Sequence, residues 1–398
     1  MIIGHVINGF PPAVIGGREM FVYHLADNLS KNNIDVEYHV ITSHHKNLVL
    51  NEKINDFYVH RYFNLTPDSW KLYSIGEGYN SFKKYFAVGV DLVFASFSLY
   101  KFIKKYNLNL LHASSIYPSG ASIVTVKKIS KIPTIITVHG NADFYQVSRS
   151  IRNVFLGPVL SSCAKIIAVG YELADNIQNG LNYDLDIEVI PNGINIDQFS
   201  SYDHNIAENI IKRYDLENKK IVFVISRLVE RKNIHRLVKS FPKVIESLGE
   251  ARLVIAGVGP AKERLEKLVR ELRISNYVIF TGSISEEEKI AFYHISDIFV
   301  QLTLSEGLSI AMIESKAAGL PAIAARFPGT SEPVTDGKSG YIVDVPVDRD
   351  ELSEKILHLL TDDALRRQMG EYSFEEAKNK YSLDKMIEKY YEVYSKLI

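Results

Sequence analysis

Glu306 and Glu314 stand eight residues apart in the run 305–321, SEGLSIAMIESKAAGLP. On one helix, eight steps of about 100° bring the second carboxylate within roughly 80° of the first, about 12 Å along the axis. That separation matches the distance between the sugar and the ribose of a nucleotide sugar, and carboxylates accept hydrogen bonds from hydroxyls of either ring. Gly307 lets a ligand approach the backbone closely, and a helix start in the same stretch is an anion site. A second pair, Arg227 and Lys232, is five residues apart behind an apolar run. Guanidinium clamps phosphate bidentately and ammonium acts as a point charge, so the two could address one diphosphate. His139-Gly140 follows the apolar run 134–138, the strand tip at which open α/β sheets bind ligands. Gly16-Gly17 lie between an N-terminal strand and a helix, where backbone N–H groups face a phosphate or sugar. Each feature also has a purely structural reading: solvated glutamates, a solvated Arg-Lys pair, a histidine bonded to backbone, a tight turn.

The elements that must position these residues alternate strand and helix. The pattern predicts strands at 2–7, 36–42, 108–113, 134–138, 165–169 and 188–190, with helices at 18–29, 96–106, 119–130 and 171–180 between them. Residues 44–95, rich in Tyr, Phe and Lys, are assigned only short strands and loops. The alternation restarts with strands at 220–225, 252–256, 277–280 and 298–304, and Gly282 closes the third of these. A helix is expected to carry Glu306 and Gly307 in its first turn and Glu314 further on, with Gly319-Leu320-Pro321 ending it. Ser285 with Glu288 forms a capping box for the helix before it. This is the grammar of an α/β chain with two Rossmann-like doubly wound parallel-sheet domains. The expected boundaries are 1–195, a polar linker at 196–218, a second domain at 219–378, and a final segment at 379–398. Apolar residues at 383, 386, 387, 390, 394 and 397 give the last helix one stripe that could dock on either domain.

With 398 residues the chain has ample length for two cores. Its 46 Lys and Arg balance 47 Asp and Glu, which argues against bulk electrostatic binding of nucleic acid. The single cysteine, Cys163, excludes an internal disulfide and fits a reducing cytoplasm. The N-terminus lacks a basic signal-like region, and no apolar run reaches about 18 residues. Gly257-Val258-Gly259 imitates a dinucleotide fingerprint, but Lys262 stands where the third glycine belongs. The pairs Asp184/Asp186 and Asp348/Asp350 read as a polar loop and a helix cap, so no metal ligand is assigned. There is no zinc spacing, nucleophile elbow or P-loop. The basic-aromatic runs 82–86, 100–106 and 127–128 read first as solvated helix faces, with a peripheral membrane contact as the alternative.

Taken in order, these motifs resemble the retaining glycosyltransferases of the GT-B architecture, family 4 (group 1). The matching pieces are Gly16-Gly17, His139, Pro191-Asn192-Gly193, Arg227 with Lys232, Gly257 and Gly259-Pro260, Glu306-Gly307 with Glu314, Gly319 with Pro321, Gly329-Thr-Ser-Glu332 and Asp336-Gly337. The family's Glu-Gly-Phe-Gly is here Glu306-Gly-Leu-Ser309, and its Gly-Gly-x-x-Glu is Gly329-Thr-Ser-Glu332 preceded by Pro328. The resemblance implies a cleft between an N-terminal acceptor-side domain and a C-terminal nucleotide-sugar domain, with the final helix crossing back to the first. It implies that Arg227 and Lys232 hold the donor diphosphate and that Glu314 takes the ribose hydroxyls. Glu306 and the amides of Gly307, Leu308 and Ser309 would hold the transferred sugar and distal phosphate. His139 would contact the donor sugar, Gly16-Gly17 would line the cleft, and Gly257, Gly259 and Gly282 would border the donor. The implied reaction is metal-independent transfer of a hexose from a UDP- or GDP-sugar to a hydroxyl of a glycan, lipid or small-molecule acceptor, with retained configuration. No cofactor is expected, and the expected location is cytoplasmic or peripheral to the cytoplasmic membrane face. The competing readings are a nucleotide-sugar epimerase, a phosphorylase (for which no pyridoxal-bearing lysine is marked) and a silent nucleotide-sugar-binding subunit.

Overall fold

The computed structural model describes residues 1–13, 16–32, 35–63, 81–140, 149–304 and 306–398. Ser305 of the run 305–321, and part of the segment 44–95, lie outside that set. The chain divides into two units, Met1–Ile190 with Met386–Ile398, and Pro191–Lys385.

The first unit is built on β1 (Ile2–Val6), β2 (Glu37–Ser43), β3 (Asn51–Ile54), β4 (Phe57–Tyr62), β5 (Leu110–Ala113), β6 (Thr134–Val138), β7 (Lys165–Ala168) and β8 (Ile187–Val189), in spatial order β3-β4-β2-β1-β5-β6-β7-β8. All neighbours are parallel except β3, which forms an antiparallel hairpin with β4. The sheet is therefore mixed, not purely parallel. The hairpin falls in a segment without clear periodicity, and its turn rests on Asn55 at φ 49°, a conformation asparagine tolerates. The helix expected at 96–106 starts fifteen residues earlier and runs Ser81–Tyr106.

Chain order reverses between β1 and β5. Right-handed crossovers therefore put the helix Gly17–Asn32 on one face and the helices Ser81–Tyr106, Ala121–Ser130, Arg149–Ser161 and Tyr171–Gly180 on the other. The final helix, Leu383–Leu397, shares the face of Gly17–Asn32, with the Phe21 and Tyr390 rings 5.4 Å apart. Its predicted stripe is buried at Met386, Ile387, Tyr390 and Tyr394. Tyr394 Oη pairs with His112 Nδ1 at 2.7 Å and Tyr390 Oη with Thr137 Oγ1 at 3.0 Å, so the polar tips of both aromatic anchors are satisfied inside the sheet. Burial pushes His112 down to about 3, leaving a neutral ring whose two nitrogens serve Tyr394 and Thr137.

The second unit holds β9 (Lys220–Ile225), β10 (Ala251–Ala256), β11 (Val278–Gly282), β12 (Ile298–Gln301), β13 (Ala322–Ala325) and β14 (Gly340–Val343) in the order β11-β10-β9-β12-β13-β14, all parallel. Alternate residues feed two cores. Val222, Val224, Leu253 and Ile255 face one layer of helices, and Ile221, Phe223, Val254 and Ala256 face the other. Continuous apolar strands covered on both sides are what a parallel sheet requires.

Residues 196–218, expected as a linker, belong to this unit. They form a 3₁₀ turn at Ile196–Phe199 and a helix at His204–Tyr214, capped by Asp203. Ile196, Phe199, Ala207, Ile210 and Leu216 are buried in its core. The segment is polar on average but amphipathic in pattern, and the pattern decides. At the other end, residues 379–385 remain with this unit, and the chain joins the first unit from Met386.

Candidate functional site

In the second unit the strand order reverses between β9 and β12, and the predicted cations and first carboxylate sit just past the ends of these two strands. This is the topological switch point, where loops diverge and leave a crevice. Arg227 follows β9 and is exposed. Lys232 ends the 3₁₀ turn Glu230–Lys232, and Asn233 at φ 58° turns the chain into the helix Ile234–Ser247. The loop after β12 is tied to that turn: Leu304 N–H donates to the Arg231 carbonyl at 2.9 Å, and Thr303 Oγ1 donates to the same oxygen at 3.3 Å. These bonds bring Lys232 Nζ onto Glu306 Oε1 in a direct ion pair.

Glu306 is not in a helix. The helix begins at Ile310, with Ser309 as its N-cap, extended at φ −76° and ψ 108° and accepting from Met312 N–H. A serine three residues before a free amide stops the helix from extending backward to Glu306. The expected 12 Å helical spacing of the two carboxylates therefore does not apply. Glu306 and Gly307 lie in the loop, and only Glu314 is helical. The Ser309 amide, expected to face a ligand, donates to the Gly329 carbonyl at 2.9 Å, and Ser309 and Leu308 are buried. Of the three amides expected to face a ligand, that of Ser309 is thus engaged within the protein. Gly329, at φ 75°, would place a Cβ 2.4 Å from the Gly307 carbonyl, so the two loops touch backbone to backbone.

Glu314 is 8% exposed and has a partner on each oxygen: Lys289 Nζ at 2.7 Å on Oε1 and Tyr293 Oη at 3.0 Å on Oε2. Burial pushes its carboxyl above the ordinary range, and Lys289 and then Tyr293 oppose that rise. Neither partner was singled out from sequence. The available signal was their spacing of four on the helix Glu286–Ile295, behind the capping box of Ser285 and Glu288 that the structure contains.

Gly257, Gly259 and Gly282 hold the neighbouring strand ends together. Gly257 N–H donates to the Gly282 carbonyl at 2.7 Å, and Leu228 N–H to the Val258 carbonyl at 2.9 Å. Gly257, at φ 128°, has no room for a Cβ, which would lie 1.9 Å from the Ser226 carbonyl. These glycines support the loop that carries Arg227.

In the first unit the corresponding residues lie past β1 and β6. Gly16 accepts from Met20 N–H at the start of the helix Gly17–Asn32, whose Glu19 is buried against Arg18 at 3.0 Å. His139 packs on Phe21, ring centroids 4.5 Å apart, and its buried Nε2 has no hydrogen-bond partner among the described residues. Burial, then the charge of Arg18, holds its pKa well below the ordinary range, so the ring is neutral. Asp348 caps the helix Arg349–Thr361, and Asp186 pairs with Lys165 at 3.0 Å. Among the described residues no cluster of three or more His, Cys, Asp or Glu has a metal-holding arrangement.

Two Rossmann-like units, with the last helix returned to the first sheet, are the GT-B architecture. The family described as Glycosyltransferase Family 4 matches residues 15–198, and that described as Glycosyl transferases group 1 matches residues 206–376. The chain belongs to this glycosyltransferase family. It is 32% identical, over 46% of its length and 50% of the relative's, to the GDP-mannose-dependent alpha-(1-6)-phosphatidylinositol monomannoside mannosyltransferase of Mycolicibacterium smegmatis. The chain thus spans about half the length of the first curated relatives it matches. It is 26% identical, over 99% of its length and 98% of the relative's, to an uncharacterized glycosyltransferase of Methanocaldococcus jannaschii. Among solved structures, the sucrose-phosphate synthase of Thermosynechococcus elongatus superposes with a TM-score of 0.82 at 20% identity, covering 100% of this chain and 98% of that one. The Anabaena protein HepE, solved with UDP, gives 0.79 at 17% identity, covering both chains fully.

Proposed function

We propose that this protein is a retaining hexosyltransferase that uses a UDP- or GDP-sugar and needs no divalent metal. The observation that carries the reading is the set of Arg227, Lys232 and Glu306 at the switch point of the second sheet, with Glu314 buried on the following helix. In this reading Arg227 and Lys232 hold the diphosphate and stabilise the negative charge that grows on it as the glycosidic bond breaks. Glu306 and the amides of Gly307 and Leu308 hold the transferred sugar. Glu314 accepts from the ribose. His139, neutral and with a buried Nε2 that has no partner among the described residues, is assigned to a sugar hydroxyl, and Gly16-Gly17 are assigned to the ligand through their backbone. The anomeric carbon becomes oxocarbenium-like, and the acceptor hydroxyl attacks from the face the diphosphate leaves, its proton passing to a phosphate oxygen.

A lipid acceptor is the favoured class among glycan, lipid and small molecule. Relatives named for phosphatidylinositol mannoside and glucosyldiacylglycerol products support it, as does one helix face. Along Ser81–Tyr106, Val93 and Phe97 are 66% and 59% exposed, one turn apart, and Lys101 lies over the Phe97 ring at 4.3 Å. A peripheral membrane contact through this face follows. Among the described residues no helix is long and apolar enough to cross a membrane.

The test is one incubation: purified protein in EDTA with labelled UDP- and GDP-sugars, with and without lipid vesicles as acceptor. Acceptor-dependent release of nucleoside diphosphate is expected, with label moving to the vesicles. Product formed without acceptor would favour the epimerase reading, and binding without turnover the silent subunit. Activity restored only by Mn²⁺ would overturn metal independence.

A further inference from the structure

The carboxylate assigned to the ribose is held on both oxygens by a single neighbouring element. Lys289 and Tyr293 lie one turn apart on the helix Glu286–Ile295 and meet Glu314 Oε1 and Oε2 at 2.7 and 3.0 Å. Lys289 is fixed in turn by Glu286 at 2.7 Å and lies 5.9 Å from the centre of the Phe199 ring. Tyr293 is fully buried among Phe199, Phe223 and Phe299. A carboxylate oxygen offers about two lone-pair directions. One donor on each therefore leaves one on each, the complement of a vicinal diol with two O–H donors.

We propose that Lys289 and Tyr293 are positioning residues that aim the Glu314 carboxylate at the two ribose hydroxyls of the nucleotide, and so set the preference for ribose over 2′-deoxyribose. The proposal rests on the assignment of Glu314 to the ribose made above. Electrostatics act in the same direction. Burial disfavours the ionised carboxylate and Glu286 adds to that, while Lys289 and Tyr293 oppose it. Of the other elements packed on the helix Ile310–Ala317, the turn Ile196–Phe199 carries Asp197, which is exposed, and the helix Asp363–Lys380 carries Glu376, which is bound to Lys316 at 2.6 Å. Lys289 is thus the cation that keeps Glu314 an acceptor in a dry site.

Isothermal titration calorimetry of the full chain with UDP, GDP and their 2′-deoxy forms, from pH 5 to 8, tests this. The wild-type protein is expected to bind the ribonucleotide about tenfold more tightly than its 2′-deoxy form, the effect of one hydrogen bond to a charged acceptor. In Lys289→Met that ratio falls toward one, and binding is lost at a higher pH as the solution is acidified, because Glu314 takes up its proton sooner. Comparing variants at each pH cancels the nucleotide's own protonation. Tyr293→Phe removes the hydroxyl that lies 3.0 Å from Glu314 Oε2 and 3.2 Å from the Ala311 carbonyl, and gives the same changes with smaller amplitude, which covers a Lys289→Met protein that fails to fold. Lys289→Arg restores the ratio. An unchanged ratio and acid limb in both Lys289→Met and Tyr293→Phe overturn the proposal, and if Glu314→Gln has meanwhile lost discrimination, the ribose assignment stands. No ribose preference in the wild type, or none lost in Glu314→Gln, overturns that assignment and the proposal with it.

Discussion

The Lys232–Glu306 pair separates a functional role from a structural one. Its side chains are 12% and 22% exposed, so water still reaches them. Such a pair contributes on the order of 1 kcal/mol or less to stability. A fixed cation beside a departing diphosphate, in contrast, accounts for about 10²- to 10³-fold in rate. Lys232→Ala is therefore expected to lower turnover by at least about 10²-fold while the urea midpoint moves little. Glu306→Ala should behave similarly, because it removes the contact proposed for the transferred sugar and takes from Lys232 its ion-pair partner. Steady-state release of nucleoside diphosphate, beside denaturation curves for the same preparations, checks this. Activity that falls only in step with unfolding would make the pair a structural one.

At the scale of elements, the loops that present these residues depend on backbone contacts that side-chain patterns do not record. Gly257 is the clearest case. A methyl there would meet the Ser226 carbonyl at 1.9 Å in a backbone region that L-residues avoid. Gly257→Ala is expected to destabilise the second unit by about 2 kcal/mol and to weaken nucleotide binding through the Arg227 loop. Calorimetry and nucleotide titration read the two effects. Gly249→Ala, where a Cβ meets nothing within 4 Å, is the control expected to change neither. Continuous apolar strands were legible because burial on both faces leaves no other solution, and β6 and β9 match the predicted spans. The start of the helix at Ile310 was not, because apolar periodicity from 308 onward continues smoothly across the true boundary. Only the Ser309 cap, a local hydrogen bond, places it. Lys289 was hidden for a related reason. In a run of glutamates it reads as surface charge, and only the third dimension sets Glu314 against it.

For the molecule as a whole, the two units differ in how the chain builds them. The second is one continuous segment, Pro191–Lys385, with core on both faces of its sheet. The first is completed only by Met386–Ile398, whose Tyr390 and Tyr394 reach Thr137 and His112 inside the sheet. Burying two such aromatic side chains stabilises by about 3–6 kcal/mol. Their removal would also leave His112 Nδ1 buried without its partner, at a further cost of about 1–3 kcal/mol, while Thr137 Oγ1 keeps His112 Nε2. That sum is comparable with the whole stability of a domain. A fragment of residues 191–385 is thus expected to unfold cooperatively on its own and to keep nucleotide binding through Arg227, Lys232 and Glu314. Residues 1–190 alone are expected to lack a cooperative transition. A peptide of residues 383–398 added in trans should restore it in a concentration-dependent way, because binding only the folded state shifts the equilibrium by mass action. Differential scanning calorimetry of the two fragments, with and without the peptide, decides the matter. A first fragment that melts cooperatively without the peptide would show that the returning helix covers the sheet without completing its core.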